Sequence, residues 1–158
     1  YELRCVLEGL IVQLFTLNAK AKDIRALEKA LEENREALKD GELQQVLESV
    51  QGFYDVLLEG SGNHVAATQL RQLQARISYL RATSVSQENR RGASNQEMEK
   101  IVEAIKSGDP LAAHQASVDH VRAAAKVALD YLRSKQEDNS KIREIANPIA
   151  LKEPRIGR

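Results

Sequence analysis

Five leucines near the start of the chain, Leu3, Leu7, Leu10, Leu14 and Leu17, recur at spacings of four, three, four and three. That is the 3.6-residue period of a single helical stripe, which Val6 and Ile11 widen. The period continues down the chain. Ile24, Leu27, Leu31 and Leu38 mark a second helix, stopped at Asp40-Gly41, where glycine suits a left-handed C-terminal position. Leu43, Val46, Leu47, Val50, Phe53, Tyr54, Leu57 and Leu58 mark a third, from about Glu42 to Glu59. Gly52 lies inside it at a cost of about 1 kcal/mol relative to alanine. Such a glycine points to the close approach of another helix or to room for a ligand.

Gly60-Ser61-Gly62-Asn63 breaks the pattern, and Asn63 is placed to cap a fourth helix carrying Leu70, Leu73, Ile77 and Leu80. The polar run from Ser84 to Gly92 reads as a loop. Ser94-Asn95-Gln96-Glu97 has the form of a capping box and predicts the start of a fifth helix with Met98, Ile101, Val102 and Ile105. Gly108-Asp109-Pro110 stops that helix, caps the next and fills its first turn. The sixth helix carries Val118, Val121, Ala125, Leu129 and Leu132. Beyond Gln136 the period fades. The expectation is an all-α, antiparallel bundle of about six helices over residues 1–136, with an irregular tail over 137–158.

Composition agrees. Eight glycines and three prolines in 158 residues leave long breaker-free stretches, which argues against a β-sandwich or a glycine-rich nucleotide fold. Two Phe, four Tyr and no Trp require a core of Leu, Ile, Val and Ala. Twenty-three basic and twenty-three acidic residues cancel, so the chain has no electrostatic footprint for nucleic acid. The lone Cys5 excludes a disulfide framework, and no apolar run approaches the roughly 18 residues that span a bilayer. No signal peptide is visible, and a cytoplasmic location with no membrane partner is expected. The chain opens Tyr1-Glu2-Leu3-Arg4, already in helical register and without Met, so further chain is expected ahead of it.

Catalytic motifs are missing: there is no phosphate loop, nucleophile elbow or His-Glu-x-x-His. The expectation is a protein that is not an enzyme and holds no cofactor. His114 and His120 are six residues apart, about 240° around a helix, and cannot share a metal from one face. His64 follows a loop and is expected to be exposed.

The ordered set of short phrases resembles the effector-binding, FCD-type C-terminal domain of GntR-family bacterial transcription regulators. Tyr1, Arg4, Leu7 and Glu8 resemble that domain's opening helix. Phe53, followed by Gly62-Asn63, resembles its central phrase. Glu97, Ile101-Val102-Glu103-Ala104-Ile105, Gly108-Asp109, Ala112-Ala113 and His120 resemble its final two helices. The resemblance covers about residues 1 to 135. It implies a helical bundle with a central cavity where an Asp and three His hold a divalent metal under a small carboxylate effector. Here the Asp position falls on Val50 and two of the His positions on Tyr54 and Met98, leaving only His120. That donor set does not suit a hard or borderline divalent ion, and a metal-free pocket is expected.

Ligand-binding candidates under the resemblance are Arg4, Tyr54, His120, Met98, Val50 and, beside the fourth stripe, Arg76. Each has a plainer reading. Val50 and Met98 are also core residues at stripe positions. Tyr54 packs with its hydroxyl on a neighbour, His120 is a hydrogen-bonded core histidine, and Arg4 pairs with Glu8 at i, i+4. In the functional reading, Arg4 offers a planar bidentate donor to an effector carboxylate.

The resemblance thus implies an effector-sensing domain that forms a homodimer through its first and fourth helices and binds a small organic acid. It would reach DNA only through a winged helix upstream. The alternative is a helical interaction or scaffold module without a small-molecule site.

Overall fold

A computed structural model describes residues 1–40, 42–86 and 88–146. These form seven helices: α1 (Glu2–Asn18), α2 (Ala21–Asp40), α3 (Leu43–Gly60), α4 (His64–Arg76), α5 (Ser78–Ser86), α6 (Glu88–Lys106) and α7 (Pro110–Ala146). The described residues contain no strand, and none of their helices is long and apolar enough to cross a membrane. Gly41, the expected stop of the second helix, lies outside the described residues. The chain divides into two units, Tyr1–Ala128 and Leu129 onward. The described part of the second is the later length of α7, where Arg133 pairs with Asp130 at 3.7 Å.

The caps at Asn63 and Asp109 form as their residue types dictate. Asn63 accepts the Ala66 N–H through its side chain at 3.0 Å, immediately after Gly62 at φ +72°. Asp109 accepts from the backbone of Leu111 and Ala112 at 3.1 and 2.9 Å, after Gly108 at φ +70°. Ser94-Asn95-Gln96-Glu97 is not a cap: α6 already begins at Glu88, and the region expected as a loop from Ser84 to Gly92 is largely helical. The box residues are used sideways instead. Asn95 donates to Asn34 at 2.9 Å, and Asn34 to Ser49 at 2.9 Å, a polar chain through α6, α2 and α3. Helix also continues over 137–146, where irregular chain was expected. That stretch holds no Gly or Pro before Pro148, so nothing local stops it. The rest of the tail, 147–158, lies outside the described residues.

Pairwise contacts give the directions. Asn34–Ser49 sits six residues back from each side of the α2–α3 turn, so those helices are antiparallel. Lys106–Glu28 and Arg35–Glu99 run in opposite order along α2 and α6, which are antiparallel too. Helices α1 and α3, with α2 between them in sequence, run parallel: Glu8 meets Tyr54 and Phe15 meets Gly60. The core gathers Ile11, Phe15, Leu27, Phe53, Leu57, Leu70, Met98 and Ile101 among others, almost entirely aliphatic as the composition requires.

Helix α1 departs from its reading. Its fully buried face is Arg4, Glu8, Gly9, Ile11, Val12 and Phe15, while of the leucine stripe Leu7 and Leu10 pack against the core only partly buried. Leu3, Val6 and Leu17 are 59%, 63% and 63% exposed. The helix has two apolar faces, and Phe15, at 0% exposed, takes the core with it. The glycines divide in a similar way. Gly52 is exposed and a Cβ there would meet nothing within 4 Å, so neither a helix nor a ligand explains it. Close approach occurs instead at Gly9, where a Cβ would fall 2.7 Å from the His114 ring, and at Gly60, 2.3 Å from Phe15.

Gly52→Ala is therefore expected to stabilise the chain by up to about 1 kcal/mol. Gly60→Ala should destabilise it by about 1–3 kcal/mol because the buried Phe15 ring must move. Urea unfolding of the two variants measures both, and equal signs would contradict this packing.

Candidate functional site

Arg4 and Glu8 are one helical turn apart, so their side chains lie over one another on α1. Both face inward, at 3% and 1% exposure. Arg4 Nε donates to Glu8 Oε1, and Arg4 Nη2 reaches Glu8 Oε2 at 3.4 Å. Tyr54 of α3 closes the group. Its hydroxyl donates to Glu8 Oε2 at 2.8 Å and accepts from Arg4 Nη2 at 3.3 Å. Burial alone would push the Arg4 guanidinium down in pKa, but the Glu8 carboxylate and Tyr54 outweigh it and hold it above its ordinary value.

A second group lies where α6 meets α7. Glu97 Oε2 takes Arg90 Nη2 at 2.6 Å and His120 Nδ1 at 2.8 Å. Arg90 Nη2 also reaches the His120 carbonyl at 3.5 Å. Burial raises the pKa of the Glu97 carboxyl, yet hydrogen bonds from His120 and Arg90 overcome this and leave it below its usual range. For His120, burial dominates over the opposing bond to Glu97, and the nearby Arg4 charge adds to it, so the imidazole pKa is lowered. An ionised Glu97 can only accept. The neutral ring therefore carries its proton on Nδ1 and leaves its lone pair on Nε2. The remaining Arg90 donors, Nε and Nη1, are buried and have no hydrogen-bond partner among the described residues. A cleft of about 540 Å³ opens beside this group, lined by Glu97, Lys100, Ala112, Gln115, Ala116, Asp119, His120 and Ala123.

The structure thus brings together Arg4 and Tyr54, and places His120 instead with Glu97 and Arg90. Val50 and Met98 lie in the aliphatic core cluster, as their plainer reading has it. Arg4 is paired with Glu8. Arg76 is exposed at the last turn of α4, and His64 is exposed. Sequence reasoning missed Arg90, which it placed in a loop. The available signal was its seven-residue spacing from Glu97, two turns along one helix face.

The residues do not fit the divalent metal that the family resemblance implies. Val50 has no donor, and Met98 is a soft thioether buried in the core. Tyr54 is engaged by Glu8 and Arg4, and His120 Nδ1 is engaged by Glu97. The Arg4 guanidinium, fixed in the same region, opposes a second cation. Among the described residues no group of three or more His, Cys, Asp or Glu is placed to hold a metal ion.

Comparison with known proteins agrees with the helical architecture. Residues 1–123 match the family described as the FCD domain. The chain is 28% identical over 121 residues to an uncharacterized HTH-type transcriptional regulator, YdhC of Bacillus subtilis (strain 168), covering 76% of this chain and 54% of that protein. It superposes on the solved structure of Streptococcus agalactiae GntR with a TM-score of 0.68 and 25% identity, over 79% of this chain and 56% of that one. The chain spans about half the length of these relatives.

Two outcomes follow from the buried groups. Arg4→Met leaves Glu8 charged and buried, and should cost about 3–5 kcal/mol; adding Glu8→Leu should recover most of it. For His120, the unfolded chain takes up a proton near the ordinary imidazole value of about 6.5, and the folded chain resists it. The melting temperature should therefore fall as pH drops from about 7.5 to about 5.5, and His120→Gln should flatten that slope. Urea titrations and calorimetry across this pH window check the two.

Proposed function

The chain belongs to the FCD domain family, and from that membership we propose that it is the effector-sensing, dimerising part of a cytoplasmic bacterial transcription regulator. The family is one of regulator domains and not of enzymes. The winged helix that would contact DNA belongs to the regulator outside these residues. This part, with balanced charge, supplies no duplex affinity of its own.

The effector is a small organic acid with an apolar body. Arg90 carries this reading: a buried guanidinium with two unpartnered N–H positions is a costly arrangement that a carboxylate relieves. Arg4, the anchor expected from the sequence, already spends its charge on Glu8. Its role becomes holding α1 against α3, with Tyr54, while His120 lines the cleft and Arg90, held by the cleft residue Glu97, supplies the guanidinium. Val50 and Met98 stay in the core, and it is Ala112, Ala116 and Ala123 in the lining of the cleft that disfavour a heavily hydroxylated ligand.

Dimerisation is supported by the outer face of α1. Leu3, Val6 and Leu17 share one line along that helix, and the neighbouring α4 exposes Val65 at 76%. A stripe of this kind on a helix already fully anchored in the core is the mark of an interface. Effector binding that favours one arrangement of the two protomers shifts operator affinity by the difference in binding energy.

A thermal-shift series of aryl and alkyl carboxylates on the 158-residue chain tests the effector reading. Benzoate or a close relative should raise the melting temperature saturably, and Arg90→Gln should weaken its binding by about tenfold or more. An acid whose affinity survives Arg90→Gln and His120→Ala would place the site elsewhere. Sedimentation at tens of micromolar tests the dimer: wild type should sediment as a dimer and Val6→Glu/Leu17→Glu as a folded monomer. A monomeric wild type would favour the scaffold reading.

A further inference from the structure

On the other side of the bundle, α3 and the α4–α5 corner enclose a groove of about 390 Å³ lined by Gln44, Leu47, Glu48, Arg71, Gln74 and Ala75 among others. Gln74 is 5% exposed, and among the described residues neither its Nε2 nor its Oε1 has a hydrogen-bond partner. A buried primary amide loses its water on folding, and leaving both ends unpaired is among the costliest placements for a neutral side chain. A leucine would fill the same volume without that cost. The position is also unforced by helix formation, since α4 already has Ala66, Ala67 and Leu70 for its core contacts.

We propose that this groove is a second small-molecule site, separate from the Arg90–Glu97–His120 cleft, and that its ligand is an uncharged carboxamide or lactam on an apolar body. The chemistry follows from the lining. An amide edge presents one donor and one acceptor side by side, and its complement is another amide edge: the ligand N–H donates to Gln74 Oε1 and the ligand C=O accepts from Gln74 Nε2. A carboxylate would satisfy Nε2 and repel Oε1, so it is disfavoured. Leu47 and Ala75 offer aliphatic surface to the ligand body. Arg71 and Glu48, one of each sign at the exposed rim, leave the groove without net charge, again matching a neutral ligand. The volume suits a single ring bearing its amide.

Benzamide is the probe, read by ¹⁵N-edited NMR on the full chain, with the Gln74 side-chain amide assigned by its loss in Gln74→Leu. Saturable shifts should appear at the Gln74 NH₂ pair and at the Leu47 and Ala75 amides. N,N-dimethylbenzamide, which lacks the donor, and benzoate should bind there at least tenfold more weakly. Gln74→Leu should abolish the benzamide shifts while raising the melting temperature. Ala75→Leu, which fills the groove and keeps the amide, should abolish them as well, so the result does not hang on one variant. Arg90→Gln should leave benzamide binding intact, which separates this site from the effector cleft whatever the fate of that reading. Absence of saturable shifts, equal binding of the dimethyl analogue, or retention of binding in Gln74→Leu would overturn the proposal.

Discussion

The orientation of α1 rests on one buried ion pair. Removing a guanidinium and a carboxylate from water costs several kcal/mol for each ion, and the attraction between them returns that only when their remaining hydrogen-bonding positions are filled. Arg4 and Glu8 meet the condition with help from another helix, because the Tyr54 hydroxyl donates to one and accepts from the other. A rotation of α1 by about a third of a turn would bury its leucines but leave Tyr54 without either partner. Phe15 and Ile11 lie on the same face as the pair and lock the rotation. Gly60 lets the Phe15 ring seat against α3, and Gly9 lets the His114 ring seat against α1. With the ion pair facing inward, Leu3 and Leu17 face outward and Leu7 and Leu10 pack against the core only partly buried.

That pair also bears on why the residues do not fit a divalent metal. A site that holds a divalent cation needs several acceptor groups with free lone pairs and no fixed positive charge among them. In this chain the fixed charges come first. Two guanidinium groups, Arg4 and Arg90, are each matched by a carboxylate, Glu8 and Glu97, and burial lowers the pKa of the His120 imidazole. Positive charge is built into the chain covalently, where the resemblance implies an exchangeable ion. The spare N–H positions on Arg90 are the counterpart of an open coordination site.

What was legible in the sequence is what local physics decides. The caps at Asn63 and Asp109 and the turn glycines before them depend on residues a few positions apart and match the sequence reading, whereas the fourth helix, expected to carry Leu70 to Leu80 as one, breaks at Ile77 into α4 and α5. The errors share another cause. Ser94 to Glu97 satisfies the capping pattern, but Asn95 and Glu97 have partners on α2 and α7 that no window along the chain includes. The α1 stripe was read on the wrong face because periodicity ranks five leucines above an Arg and a Glu, while burial there was decided by Tyr54, some fifty residues away. Gly52 and Gly60 look alike in sequence, and only the packed neighbour separates an open position from a close approach. Of the candidate site, Arg4, Tyr54 and His120 were visible through resemblance. Arg90 was hidden once its segment had been read as a loop.

One helix then carries two kinds of contact. On its inner face α1 holds the Arg4–Glu8 pair, whose field reaches His120, and on its outer face it holds Leu3, Val6 and Leu17. Under the proposed function these faces belong to the ligand side and the partner side of the same rigid rod. A helix moves as a unit on the scale of its packing, so a carboxylate that draws Arg90 and His120 changes the balance of charge against which Arg4 and Glu8 sit. Under that proposal the response of α1 would be read directly at its outer stripe. Signal transfer in such a domain requires no long pathway, only that the polar and apolar faces of one helix answer to different partners.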